Sequence, residues 1–129
     1  MMREELISAL EKATGPDRDL DGEIAAAVWG AHTEWEQANY TMDIYLVVHW
    51  APPHPYAGMK EPCPAYTASI DAALTLVPDG ARWCVGRYVV PDGEEASEYA
   101  ARVDGPRFYD AASPAIALCI AALKARASL

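Results

Sequence analysis

The chain has no stretch approaching the roughly 20 consecutive apolar residues that span a bilayer. Its opening Met1-Met2-Arg3-Glu4-Glu5 lacks the apolar core of a signal peptide, so a cytosolic protein is expected. Cysteine is scarce: Cys63, Cys84 and Cys119 are an odd number at wide spacing, which suits neither a secreted disulfide framework nor a CxxC metal site. Cys84 and Cys119 are expected as reduced core residues. Positive charge is scarce too, with 10 Lys+Arg against 19 Asp+Glu and a formal charge of −9. That balance repels phosphate backbones, so a nucleic-acid polymer is excluded as the main partner, while two or three local arginines can still hold a small anion. There is no G-x-G-x-x-G, no P-loop and no G-x-S-x-G, so no cofactor cradle and no nucleophile elbow is present and no enzymatic activity is expected.

What remains is a folded globular composition, 52% hydrophobic and 22% charged over 129 residues, which fits one α+β domain spanning residues 1–129. Leu6, Leu10 and Ala13 at helical spacing predict a helix from Arg3 to Ala13, stopped by Gly15-Pro16. Asp17 or Asp19 then caps a second helix, in which Leu20, Ile24 and Val28 form one apolar stripe ending near Trp29-Gly30; Asp21 and Glu23 fall on the face expected to meet solvent. The clearest strand is Met42 to Trp50, apolar on both faces, as in a sheet covered on both sides or one whose second face lines a cleft. Residues 51–64 carry five prolines in fourteen positions and read as a long loop that no regular element traverses.

A helix is expected over Pro64 to Pro78, opened by a hydroxyl cap and closed by proline. Arg82 to Val90 alternates as a strand, Pro91-Asp92-Gly93 reads as a turn, and Glu95 to Val103 as the return strand. Arg107-Phe108-Tyr109 is either a last short strand or the approach to the final helix. Ser113-Pro114 opens that helix, almost wholly apolar before Lys124 and therefore mostly buried.

Three segments, Ala13 to Asp21, Tyr66 to Pro78 and Pro114 to Arg126, resemble the phage ABA sandwich domain of small phage and prophage proteins. The resemblance covers most of the chain in outline and implies an antiparallel β-sheet sandwiched between α-helices, an α/β/α sandwich. It carries over no catalytic residue, because the pattern consists of packing and capping positions.

The polar candidates are sparse. His49, His54 and Cys63 lack tight ligand spacing, so no metal site is expected. Asp17/Asp19/Asp21 and Asp92/Glu94/Glu95 read as a helix start and a solvated turn. A more informative set joins Trp50, His54, Tyr56 and Tyr66 with Arg82, Arg87, Arg102 and Arg107, because aromatic faces stack on bases and guanidinium groups fork onto phosphates. The plain alternative is that Trp50 and Tyr66 pack the core while the arginines balance Glu94, Glu95 and Glu98 across strands. The expected function is a non-catalytic phage or prophage protein that binds a small nucleotide-like molecule, such as an immune signal, as a homo-oligomer. The alternatives are a protein-interaction module using the acidic surface and the proline-rich loop, and a small enzyme built around His49 or His54.

Overall fold

The computed structural model describes residues 1–38, 43–89 and 95–127. Helix α1 (Arg3–Lys12) buries Leu6, Ile7 and Leu10, and α2 (Arg18–Trp29) starts where the Asp17 carboxylate accepts the Leu20 N–H. Gly30, at φ +65°, ends α2 in the left-handed conformation that glycine adopts without a Cβ penalty. Three antiparallel strands follow: β1 (His32–Gln37), β2 (Ile44–His49) and β3 (Lys60–Pro62), with β2 in the middle. After a short helix α3 (Ile70–Leu74) come β4 (Trp83–Val89), β5 (Glu95–Val103) and β6 (Tyr109–Ala111), a second antiparallel sheet in chain order, and then α4 (Pro114–Ala127).

The protein is thus an α+β fold of antiparallel sheets packed against helices, with two three-stranded sheets among the described residues. The first sheet packs on α2, the second on α4, and α1 joins them by packing on both helices. Every residue from Ala115 to Leu123 of α4 is buried, as its nearly unbroken apolar run requires, with Ser113 Oγ accepting the Ile116 N–H at its start. Gly22 allows α2 to lie close on the first sheet: a Cβ there would stand 3.3 Å from both Leu46 Cδ2 and Thr33 Oγ1. No helix among the described residues is long and apolar enough to cross a membrane.

Several expectations need correction. The 64–78 helix shrinks to five residues, because Thr67 spends its N–H on Asp21 and the true cap is Ser69, whose Oγ accepts the Ala72 N–H. Asp21 is fully buried rather than solvent-facing. The 51–64 loop contains β3, whose Pro62 is tolerated because the strand lies at the sheet edge. Strand β1 had no sequence signal, since His32-Thr33-Glu34-Trp35-Glu36-Gln37 is mostly polar, as an edge strand with one open face can be. Strand β2 carries helix on one face; its other face bears Tyr45, Val47 and His49 beside the charged side chains of β1 and β3. A last short strand does form, as β6, but it starts only at Tyr109 and runs to Ala111, leaving Arg107 and Phe108 outside it. The Pro91-Asp92-Gly93 turn, Glu94 and the side chains of Glu95 and Glu98 lie outside the described residues.

Candidate functional site

The eight residues singled out in the sequence divide between two regions. Around the 51–59 loop, backbone bonds link His54 to Ala51, Ala57 to His54 and Met59 to Tyr56, and reciprocal Trp50–Met59 and Gly58–Trp50 bonds close its base. The Tyr56 N–H donates to His54 Nδ1 at 3.0 Å, so in the neutral ring the proton sits on Nε2. That imidazole lies flat on Trp50, with centroids 3.8 Å apart and planes within 4°, and meets Trp29 edge-on at 4.8 Å. The Trp50 indole N–H donates to Glu61 Oε1 at 2.7 Å. Trp50 is only 4% exposed, while Tyr56 stands out at 56%. The loop aromatics are therefore largely satisfied by one another. Tyr66 is in the core, and Trp29, missed in the sequence, completes the cluster with the Arg126 guanidinium 5.5 Å from its ring centroid.

Of the four arginines, Arg87 and Arg102 lie in β4 and β5 of the second sheet, while Arg82 and Arg107 stand just before β4 and β6. Arg102 lies 4.9 Å over Phe108, Arg107 5.3 Å over Tyr109 and Arg87 6.0 Å from the Tyr99 centroid. Arg82 and Arg102 border a polar notch of about 240 Å³ with Asp104 and Gly105. The loop aromatics and the arginines thus occupy different sheets, and the site expected from sequence is not assembled as one pocket.

The second sheet forms a different cavity. Register places Gly86, Ala100 and Asp110 side by side across its three strands, with Cys84 opposite Arg102. This is the face turned away from α4, on which the alternate residues Ala101, Val103 and Ala111 pack; on the trough face Gly86 is exposed and Cys84 half-buried, while Ala100 is only 5% exposed. Cys84, Gly86 and Ala100 are too small to fill the space above the sheet, and a Cβ on Gly86 would meet nothing within 4 Å. The result is an open trough of about 550 Å³, walled by Arg87, Phe108 and Asp110. Phe108 is 49% exposed and carries the Arg102 guanidinium. Cys84, Gly86, Ala100, Phe108 and Asp110 were not singled out in the sequence; the small residues alternating with Val85 and Ala101 were the available signal.

Chemically the trough offers an apolar floor, an aromatic edge, cationic groups and one carboxylate. It holds no histidine, so none of its residues has an imidazole base beside it. The trio weighed for a metal is also separated: His54 is stacked on Trp50, His49 pairs with Glu34, and Cys63 is a buried thiol. Burial pushes the Cys63 thiol up to about 11, far from the thiolate that a metal or an electrophile needs. No protein-family model matches this chain, and no curated protein and no solved structure matches it. The resemblance to the phage ABA sandwich domain therefore rests on its three segments alone.

Proposed function

We propose that this protein is a non-catalytic binder of a small, planar, anionic molecule of nucleotide type, held in the trough of the second sheet. The supporting observation is the floor of Cys84, Gly86 and Ala100 beside Phe108 and Arg87, a cavity of about 550 Å³ within the size range of small-molecule sites. A flat ring lies against Gly86 and Ala100 with Phe108 at its edge. Arg102, on the trough face over Phe108, neutralises the anionic group with Arg87 at the trough's edge, and Asp110 accepts from an amino or hydroxyl group. The phage-domain resemblance adds the physiological half of the reading: sequestration of a nucleotide signal in the host cytoplasm, by a homo-oligomer. Calorimetry against a panel of mono-, di- and cyclic nucleotides, with native mass spectrometry of gently purified protein, tests it. Saturable binding that is weakened in R87A and R102A supports the reading; no binding across the panel and no co-purifying mass rejects it.

A second reading, a protein-interaction module, is favoured by the 51–59 loop. Its backbone is fixed by turns, yet Tyr56 and Met59 are 56% and 55% exposed. Under this reading a specific partner protein is recovered by the parent chain and lost with Y56A/M59A.

A further inference from the structure

The face of the first sheet opposite α2 gathers histidine and carboxylate side chains. Alternation along β1 places His32, Glu34 and Glu36 on this face, and the antiparallel register sets His49 of β2 directly across from His32. His49 Nε2 lies 2.9 Å from Glu34 Oε1, and His32 Nε2 lies 3.6 Å from Glu34 Oε2. Both imidazoles thus turn the same nitrogen toward the two oxygens of one carboxylate. A ligand atom from each of Glu34, Glu36 and His49 lies within 4.8 Å of the other two. The His32 and His49 ring centroids are 5.4 Å apart. Two imidazoles sharing one tetrahedral ion, with metal–nitrogen bonds of about 2.1 Å, hold their centroids roughly 5 Å apart.

Glu36 adds a second, independent observation. Lys60 Nζ holds its Oε1 at 2.8 Å, while Oε2 is buried with no hydrogen-bond partner among the described residues. A buried acceptor left bare is costly, and a cation placed between Glu34 and Glu36 removes that cost.

We propose that His32, Glu34, Glu36 and His49 bind one divalent transition-metal ion of the zinc class on this face of the sheet. Imidazole favours such ions over calcium and magnesium, which prefer all-oxygen shells, and the two carboxylates offset the charge of the ion. Binding exchanges the Nε2-to-carboxylate contacts for Nε2–metal and metal–oxygen bonds. The proton that an Nε2 holds toward Glu34 leaves to solvent; an imidazolium keeps its Nδ1 proton, and a neutral ring takes one up from solvent on Nδ1 in exchange. The ion then ties edge strand β1 to the central strand β2, at a site separate from the trough. His32, 71% exposed, leaves the entry path open.

The test uses untagged protein stripped with a chelator and then dialysed. Calorimetric titration with zinc chloride is expected to give one equivalent per chain and a melting temperature that rises with zinc concentration. Cobalt(II) is expected to develop visible d–d bands at the same stoichiometry. Loss of an outer-shell partner typically weakens metal binding 10–100-fold, so H32A, E34Q and H49A each weaken zinc by at least about tenfold, whereas E4Q on α1 does not. H32A carries the test if H49A fails to fold, because its side chain is exposed. Absence of saturable binding at one equivalent overturns the proposal. So does parental zinc affinity in H32A or E34Q whose circular dichroism matches the parent.

Discussion

Asp21 Oδ1 accepts both the backbone N–H and the hydroxyl of Thr67, each at 2.8 Å, between two residues that are fully buried. Its other oxygen, Oδ2, takes the Arg18 guanidinium at 2.7 Å, and Arg18 goes on to donate to the carbonyls of Cys63 and Pro64. Thr67 Oγ1 in turn accepts the Asp17 N–H at 2.8 Å. The first turn of α2 is thereby fastened to the 63–67 segment by a network in which the buried carboxylate is fully partnered. Removing one member strands buried donors: D21A, which leaves both the N–H and the hydroxyl of Thr67 without that acceptor, and T67V are each expected to cost about 1–3 kcal/mol, D21A the more. Chemical denaturation of both single variants and the double variant measures this, and a double-variant loss well below the sum of the singles shows the coupling.

Gly22→Ala reverses the usual rule for helices. Alanine improves intrinsic helix propensity by about 1 kcal/mol, but its Cβ would stand 3.3 Å from Leu46 Cδ2, in a side chain that is itself only 4% exposed. Overpacking of this kind costs about 1–3 kcal/mol, so the net effect is destabilising, and thermal melting of G22A reads its sign.

Filling the trough separates ligand binding from folding. Gly86→Leu places a side chain in open space on the face away from α4, so the melting temperature is expected to hold while the nucleotide binding proposed above is lost. Removing one guanidinium, as in R102A, deletes a charge-assisted bond and is expected to weaken binding about 10- to 100-fold, from the roughly 1.5–3 kcal/mol such bonds contribute.

The cysteines are expected to differ in reactivity. Cys63 and Cys119 are buried and desolvation raises both thiols, so neither labels in the native protein near neutral pH; half-buried Cys84 labels first, and all three label on unfolding. The Cys63 shift also sets a direction for stability. The unfolded thiol ionises near its ordinary 9.0, while the folded thiol keeps its proton until about 11. Between those values the unfolded state binds fewer protons, so Cys63 lowers stability as pH rises from about 9 to about 11. Denaturant midpoints of the parent and C63A across this window check it: the fall is expected to be shallower in C63A.

The residues of α1, α2 and α4 were readable because local chemistry and burial agree there. Asp17 caps, Gly30 terminates and Ser113-Pro114 opens, each beside an apolar pattern of the right period. The β4–β5 pairing was readable for the same reason. Strand β1 escaped because its polar residues are set by an exposed edge, and the 64–78 helix was overextended because Thr67 satisfies a distant aspartate instead of its own helix. At the site, aromatic and cationic residues marked interesting chemistry but not their neighbours, and His54 closing on Trp50 uses up a face that the sequence left open.

The α+β class, the helix ends, the turn-rich course of the chain after β2 and the shortage of positive charge follow from neighbouring residues or from the whole composition. Tertiary structure decided which sheet each candidate joined. It set His49 against Glu34 across a strand pair, and it left an open trough above Cys84, Gly86 and Ala100 with no helix packed over it. These depend on register and on which face a helix covers, and both are fixed by contacts between residues far apart in the chain.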